Sequence, residues 1–242
     1  MQIYDRSDNE ITTLEQWARL YDTPQQSHQW VEHRSAYSVA DFVLNRNGAS
    51  QLESRVSNAL GERVSLEKAM PEYEVRFDGY GRGRVHDLGI FGETASGKSI
   101  FVGLEAKVDE TFGAMLKDVY LQAKARQITG VSTNAPERIE KLLAAHFSAP
   151  DPAMFNVRYQ LLYATAGTIA EKADVSVLYV AVFKTLLYDE TIGASNYRDY
   201  VHFVNKVGAQ PIKLSDKGAD AHEMQLANRR LVCLHEYFDL RA

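Results

Sequence analysis

Hydrophobic positions along this chain change period several times, and each change marks an element. From Val102 onward the alternation is strict. Val102, Leu104, Ala106 and Val108 fall on one face, and Gly103, Glu105, Lys107 and Asp109 on the other. Period two in a β-branched, aromatic-bearing segment predicts a strand over Ile100–Val108. Just before it, Val85, Leu88, Ile90 and Phe91 predict a strand over Arg84–Phe91. The polar stretch Gly92–Ser99 between them, rich in Gly and Ser, reads as the turn of a β-hairpin. Further strands are expected over Glu74–Tyr80, Val175–Phe183 and, late and short, Leu231–Phe238.

Helical spacing marks the rest. Ser50–Leu60 reads as one helix. Phe155–Lys172 reads as another, with Tyr159, Leu162, Tyr163, Ala166 and Ile169 on one face. Thr12-x-x-Glu15 opens an N-terminal helix, Ser35–Leu44 carries a second, and Ser195–Val207 a late one. Residues 110–152 read as a mostly helical insertion, in which Asn134-Ala135-Pro136-Glu137 starts a helix by cap and early proline. Ser215–Asp220 reads as a loop. The sum is an α/β (α+β) chain, a central mixed sheet flanked by helices. We expect one domain over 1–242: a helical extension at 1–48, a core at 49–185 and a C-terminal extension at 186–242.

Two motifs compete inside residues 84–108. Gly92–Ser99 satisfies the phosphate-loop pattern G-x-x-x-x-G-K-[ST]. That loop needs a helix directly after it, whose N-terminus faces the phosphates. Here a strand follows, and Val175–Phe183 ends in Lys184 rather than in a magnesium-holding acid. The hairpin serves the second motif better. Glu105 and Lys107 share a face, roughly 7 Å apart along the strand, and the antiparallel partner returns Asp87 beside them. Two carboxylates are hard ligands suited to Mg²⁺ or Mn²⁺, which activates water and stabilises charge on a phosphate. A neighbouring lysine orients that water and neutralises developing charge.

With an acid on one strand, a hairpin turn, then Glu-x-Lys on the next, the chain resembles the PD-(D/E)XK nuclease superfamily, of restriction-endonuclease-like fold. His86 stands where that family's motif has proline. The resemblance implies a helix, three strands, helix and strand core, with Asp87, Glu105 and the Ala106 carbonyl on the metal and Lys107 on the water. It also implies a first-helix acid, for which Glu53 is the candidate, although Ser50-x-x-Glu53 equally reads as a capping box. A polar residue on the second helix is expected too. Gln160 is the candidate, beside Arg158, and Gln160-x-x-Tyr163 is one residue shorter than the Gln-to-Tyr spacing of some exonuclease-like members.

Composition adjusts this picture. With 242 residues, 45% hydrophobic, the chain is long enough for a well-buried domain. The net charge of −5 argues against indiscriminate nucleic-acid binding. Local charge differs: Arg76, Arg82 and Arg84 surround Gly79-Tyr80-Gly81-Arg82-Gly83, a basic loop with Tyr80, expected to be mobile and to meet a phosphate backbone or a base. Lys117, Lys124, Arg126, Arg138 and Lys141 offer a second surface. The lone Cys233 excludes an internal disulfide framework, and the seven histidines lack ligand spacing. No apolar run reaches membrane length, and no signal peptide is apparent. The expectation is a cytoplasmic, Mg²⁺-dependent endonuclease on nucleic acid, DNA favoured, with a homodimer left open. The alternatives are a non-catalytic nucleic-acid-binding or protein-interaction module on the same fold, and a nucleotide-binding protein using Gly92–Ser99.

Overall fold

The computed structural model describes every residue except 24–26, 148, 150, 216–217 and 242. It is an α/β structure built on one eight-stranded mixed sheet, in the order β1-β2-β3-β4-β5-β8-β7-β6. The strands are β1 (Gln2–Ile3), β2 (Val64–Val75), β3 (Arg84–Thr94), β4 (Ser99–Lys107), β5 (Val175–Lys184), β6 (Gln210–Ile212), β7 (Ala219–Leu226) and β8 (Arg229–Asp239). β4, β5 and β8 run parallel at the centre, and antiparallel pairs flank them. β5 is buried along Val175–Phe183, on both faces. A central parallel strand needs such a near-continuous apolar run, broken here only by the buried Ser176.

Helices cover both faces. α1 (Leu14–Ala18), α2 (Ser35–Asn45) and α3 (Gly48–Leu60) lie on one side, where Trp17, Phe42, Leu52 and Val56 meet Leu88, Ile90, Leu104 and Ala106. On the other lie α4 (Leu116–Ile128), α5 (Ala135–His146), α6 (Tyr159–Ala170) and α7 (Glu190–Lys206), packed on Leu178, Val180 and Val182. Among the described residues no helix is long and apolar enough to cross a membrane.

Several expectations shift. The first long strand is Val64–Val75, not Glu74–Tyr80. A register slip between Leu66 and Lys68 resets its alternation, and Pro71 stands inside it. β1 covers only Lys68 and Ala69, so beyond them β2 is an edge, where proline is tolerated. α1 is capped at Thr13, whose side chain and that of Gln16 form a capping box, one residue beyond the expected start. α3 begins before Ser50, at a left-handed Asn47 without a side-chain cap. Glu53 therefore caps nothing; it accepts the Leu66 N–H at 2.9 Å. α7 starts at Glu190, and Asp189 caps it through the Thr191 and Ile192 N–H groups. Of the expected loop Ser215–Asp220, residues 216–217 lie outside the described residues, and β7 already begins at Ala219.

Gly92–Ser99 is the end and turn of the β3–β4 hairpin. Thr94 N–H donates to the Lys98 carbonyl at 2.9 Å, and left-handed Gly97 (φ 76°) closes the turn. No helix N-terminus follows it. Cys233 is fully buried, and burial pushes its thiol up to about 12. Its expected behaviour is inertness toward a thiol reagent in native buffer and full reaction in denaturant, read as thiol equivalents titrated. Equal reaction in both would contradict its placement.

Candidate functional site

The β3–β4 ladder runs from Glu93/Ser99 to Leu88/Leu104 and ends there. At the next position Asp87 Oδ2 accepts the Ala106 N–H at 2.7 Å. A carboxylate thus replaces a backbone acceptor where the strands part. This is how the hairpin brings Asp87 to Glu105 and Lys107, which continue β4 as buried charged residues.

Glu105 lies deepest. Arg84 grips it through Nε at 3.2 Å and through Nη2, His86 Nδ1 lies 2.9 Å from Oε1, and Gln160 Nε2 donates to Oε2 at 3.1 Å. Burial pushes its carboxyl up, but the Arg84 charge and the His86 hydrogen bond outweigh this and hold it down at about 2. Asp87 behaves oppositely. Burial and the Glu105 charge push it up to about 7, against the pull of Lys107, and the charge of Glu72 adds to the rise. Two adjacent carboxyls driven apart in this way suit different proton states at neutral pH.

No pattern in the chain points to Glu72 as a site residue. It sits in β2 with φ 51°, skipped by a register that pairs Pro71 with Leu88 and Tyr73 with His86. A left-handed glutamate costs on the order of 1–3 kcal/mol. Tyr21 O–H donates to its carboxylate at 2.7 Å, and burial raises its pKa. Lys107 Nζ lies 5.3 Å from the Phe112 ring centroid and has no hydrogen-bond partner among the described residues.

His86 lies on β3, one residue before Asp87. It is fully buried, burial lowers its pKa, and Nε2 has no hydrogen-bond partner among the described residues. Space for it comes from two glycines. A Cβ on Gly103 would meet His86 Cε1 and Thr168 Oγ1 at 2.7 Å, and one on Gly167 would meet Arg84 Cβ at 2.6 Å. Gly103→Ala is expected to cost about 1–3 kcal/mol by overpacking, read as a lower urea midpoint. An unchanged midpoint would show that His86 can move aside.

Asp87 opens onto a cleft of about 500 Å³, lined also by Tyr21, His28, Glu72, Arg84 and Gln160. Glu105 and Lys107 stand behind this lining. Through Glu72 and Arg84 the cleft joins a wider groove of about 970 Å³, carrying Arg6, Tyr80, Arg82, Arg138 and Tyr163. Tyr80, Arg82 and Arg84 are thus brought to one place, while Arg76 lines a neighbouring pocket. Arg158 stands apart, donating to Asp199 at 2.8 Å and to the Gly113 carbonyl at 2.6 Å. Glu53, on α3 and bonded to Leu66 near the start of β2, is not among the residues that line the cleft. The basic loop is pinned by Arg138, which donates to Asp78 twice at 2.7 Å and to the Tyr80 and Arg82 carbonyls at 3.0 and 3.2 Å. Of the second basic surface, Arg138 and Lys141 line pockets, and Lys124 pairs with Glu140 at 3.2 Å.

Asp87 and Glu105 provide hard oxygens, the donor chemistry that Mg²⁺ takes alongside water and phosphate. Ala106 pairs with Ala181 of β5 and presents its N–H to Asp87. Among the described residues no group of three or more His, Cys, Asp and Glu is arranged to hold a metal.

A family model described as a domain of unknown function, DUF6946, matches residues 10–232. The chain belongs to the DUF6946 family. Comparison with curated proteins and with solved structures returns no match. The DUF6946 match spans α1 through the start of β8, so it includes every residue of the cleft described above. Within this DUF6946 chain sequence reasoning missed Glu72 and Tyr21, and it placed Arg138 on a second basic surface rather than at the basic loop that it pins. Each of the three reaches the site from an irregular backbone segment or a distant helix, where no periodicity points.

Proposed function

We propose that this DUF6946 protein is a metal-dependent nuclease on a restriction-endonuclease-like core, hydrolysing phosphodiester bonds in nucleic acid, with DNA favoured. One observation carries the reading: Asp87, Glu105 and Lys107 gather where the β3–β4 ladder ends, beside a cleft that leads into an arginine-lined groove. The element order α3-β2-β3-β4-α6-β5 agrees with it, as does Gln160 on α6 reaching Glu105. Asp87 and Glu105 would hold Mg²⁺ or Mn²⁺, which when bound supplies an acidified water and a counter-charge for phosphate. Glu105 is already ionised, and Asp87, the harder of the two to ionise, would have to give up its proton to take the cation. Glu105 would then face the cation where it now faces Arg84. Lys107 would offer its ammonium, from the buried end of the site, to the water or to the phosphate oxygen. Arg84 lies between cleft and groove and, freed from Glu105, would be placed to meet the substrate backbone.

A second reading, a binding module without catalysis on the same fold, draws on the Arg84–Glu105 ion pair, which already satisfies the buried carboxylate. The test is cutting of labelled single-stranded and duplex DNA and of RNA in Mg²⁺ or Mn²⁺, with EDTA controls. Cutting in metal alone supports the nuclease. Binding without cutting under every metal condition would favour the second reading.

A further inference from the structure

The groove beside Asp87 continues into a third cavity. Arg138 lines both. This pocket, about 480 Å³, has an apolar floor of Leu142, Ala145, Ala166, Ile169 and Leu226. Its rim carries Arg76, Lys141, Lys172 and Arg229. The groove adds Arg6, Arg82, Arg84 and Arg138. Eight cations therefore line the two cavities, in a chain whose net charge is −5. Among the described residues only Glu72 and Asp78 line them as acids, Glu72 engaged by Tyr21 and Asp78 by Arg138; of the eight cations, Arg138 is paired with Asp78 and Arg84 with Glu105. Glu74 stands at the limit of ion-pair distance from Arg76 and Arg82, at 3.9 and 4.0 Å. Segregation of this kind against the overall charge is the footprint of a polyanion.

The surfaces between the cations decide which polyanion. Tyr80 and Tyr163 line the groove and Phe77 the pocket. Phe77 and Tyr163 pack edge to face, 5.0 Å between centroids, and Lys141 Nζ sits 4.6 Å from the Tyr80 centroid. Aromatic and aliphatic surfaces recessed between cations offer contact to the faces of unpaired bases. A duplex keeps those faces stacked inside and presents only phosphates and base edges. The cations here line cavities with apolar floors rather than a flat face.

We propose that this track, from the Asp87 cleft across the Arg138-pinned loop to the Lys141–Arg229 pocket, binds a single strand of nucleic acid in preference to a duplex. Phosphates lie on the arginines and lysines, and an unstacked base enters the apolar pocket. The proposal rests on the nuclease reading for its biological sense, but binding tests it without catalysis. Fluorescence anisotropy in EDTA would compare a labelled oligothymidine with a duplex of equal length, across a salt series. Expected are binding of the single strand about tenfold or more tighter than the duplex, and a linear fall of affinity with salt. The double variant Lys141→Gln/Arg229→Gln changes two exposed side chains. It should bind the single strand about tenfold more weakly and flatten the salt slope by about 1.4, with an unchanged circular dichroism spectrum. Equal or tighter duplex binding, no binding of either, or a double variant that binds like the parent would overturn the proposal. Strand binding that holds while no metal supports cutting would leave the track standing and remove the nuclease. Metal-dependent cutting confined to duplex would do the reverse.

Discussion

Lys107→Met is expected to abolish metal-dependent cutting, with a rate loss of about two to four orders of magnitude, the range seen when a positioned donor is removed. Methionine keeps an unbranched stem against Phe112, so packing survives while the ammonium goes. Lys107 makes no hydrogen bond among the described residues, so its removal leaves no hydrogen-bonding group unpaired, although Asp87 and Glu105 lose a nearby positive charge. The melting temperature should stay within a few degrees of the parent. Initial cutting rates with Mg²⁺ and a calorimetric melt check both halves. A variant that cuts at the parental rate would remove Lys107 from the chemistry.

Asp87→Asn should separate stability from activity. The unfolded carboxyl titrates near 3.8 and the folded one at about 7. Between those values the folded state holds a proton that the unfolded state has lost, so folding stability falls as pH rises through the window. Above it the parent carries the full penalty of a buried charge beside Glu105 and Glu72. Asparagine removes that penalty and still offers an oxygen to the Ala106 N–H. At about pH 8 the variant should gain on the order of 2 kcal/mol, allowing for the open side of the cleft. Near pH 4 the gain should vanish, and cutting should be lost at every pH. Glu105 has the opposite sign. Held at about 2 against an ordinary 4.5, it adds stability above its unfolded pKa, and that share is lost as pH falls through the folded value. Urea unfolding across pH measures both. A variant no more stable than its parent above pH 7 would contradict the account of Asp87.

The hairpin was legible because nothing interrupts its period. Val102, Leu104, Ala106 and Val108 alternate without a slip, and the polar turn is bounded by strand on both sides. That alternation was enough to bring Asp87, Glu105 and Lys107 together. β2 was illegible for a physical reason: the bulge after Leu66 moves the buried set from one parity to the other, and Pro71 and Glu72 then break the β signature. β7 hides differently. Ala221 faces one core and Met224 and Leu226 the other, so no single face of ADAHEMQL reads as apolar. Gln160 could be picked out by helix position, but its partner could not. Arg84 was read as a loop cation for substrate, yet in the fold it turns inward to Glu105. A sequence gives the sign of a charge, not the side of the strand to which it turns.

The close seating of α6 has one further consequence. The helix rests on Arg84 and His86 at Gly167 and reaches Glu105 at Gln160, seven residues away, roughly 10 Å along the axis. It acts as an arm of fixed length whose fulcrum is a missing side chain. Any bulk at residue 167 would lift the fulcrum and swing Gln160 off the carboxylate. The alignment of the acidic site is thereby stored at the far end of the helix, in an atom that is not there.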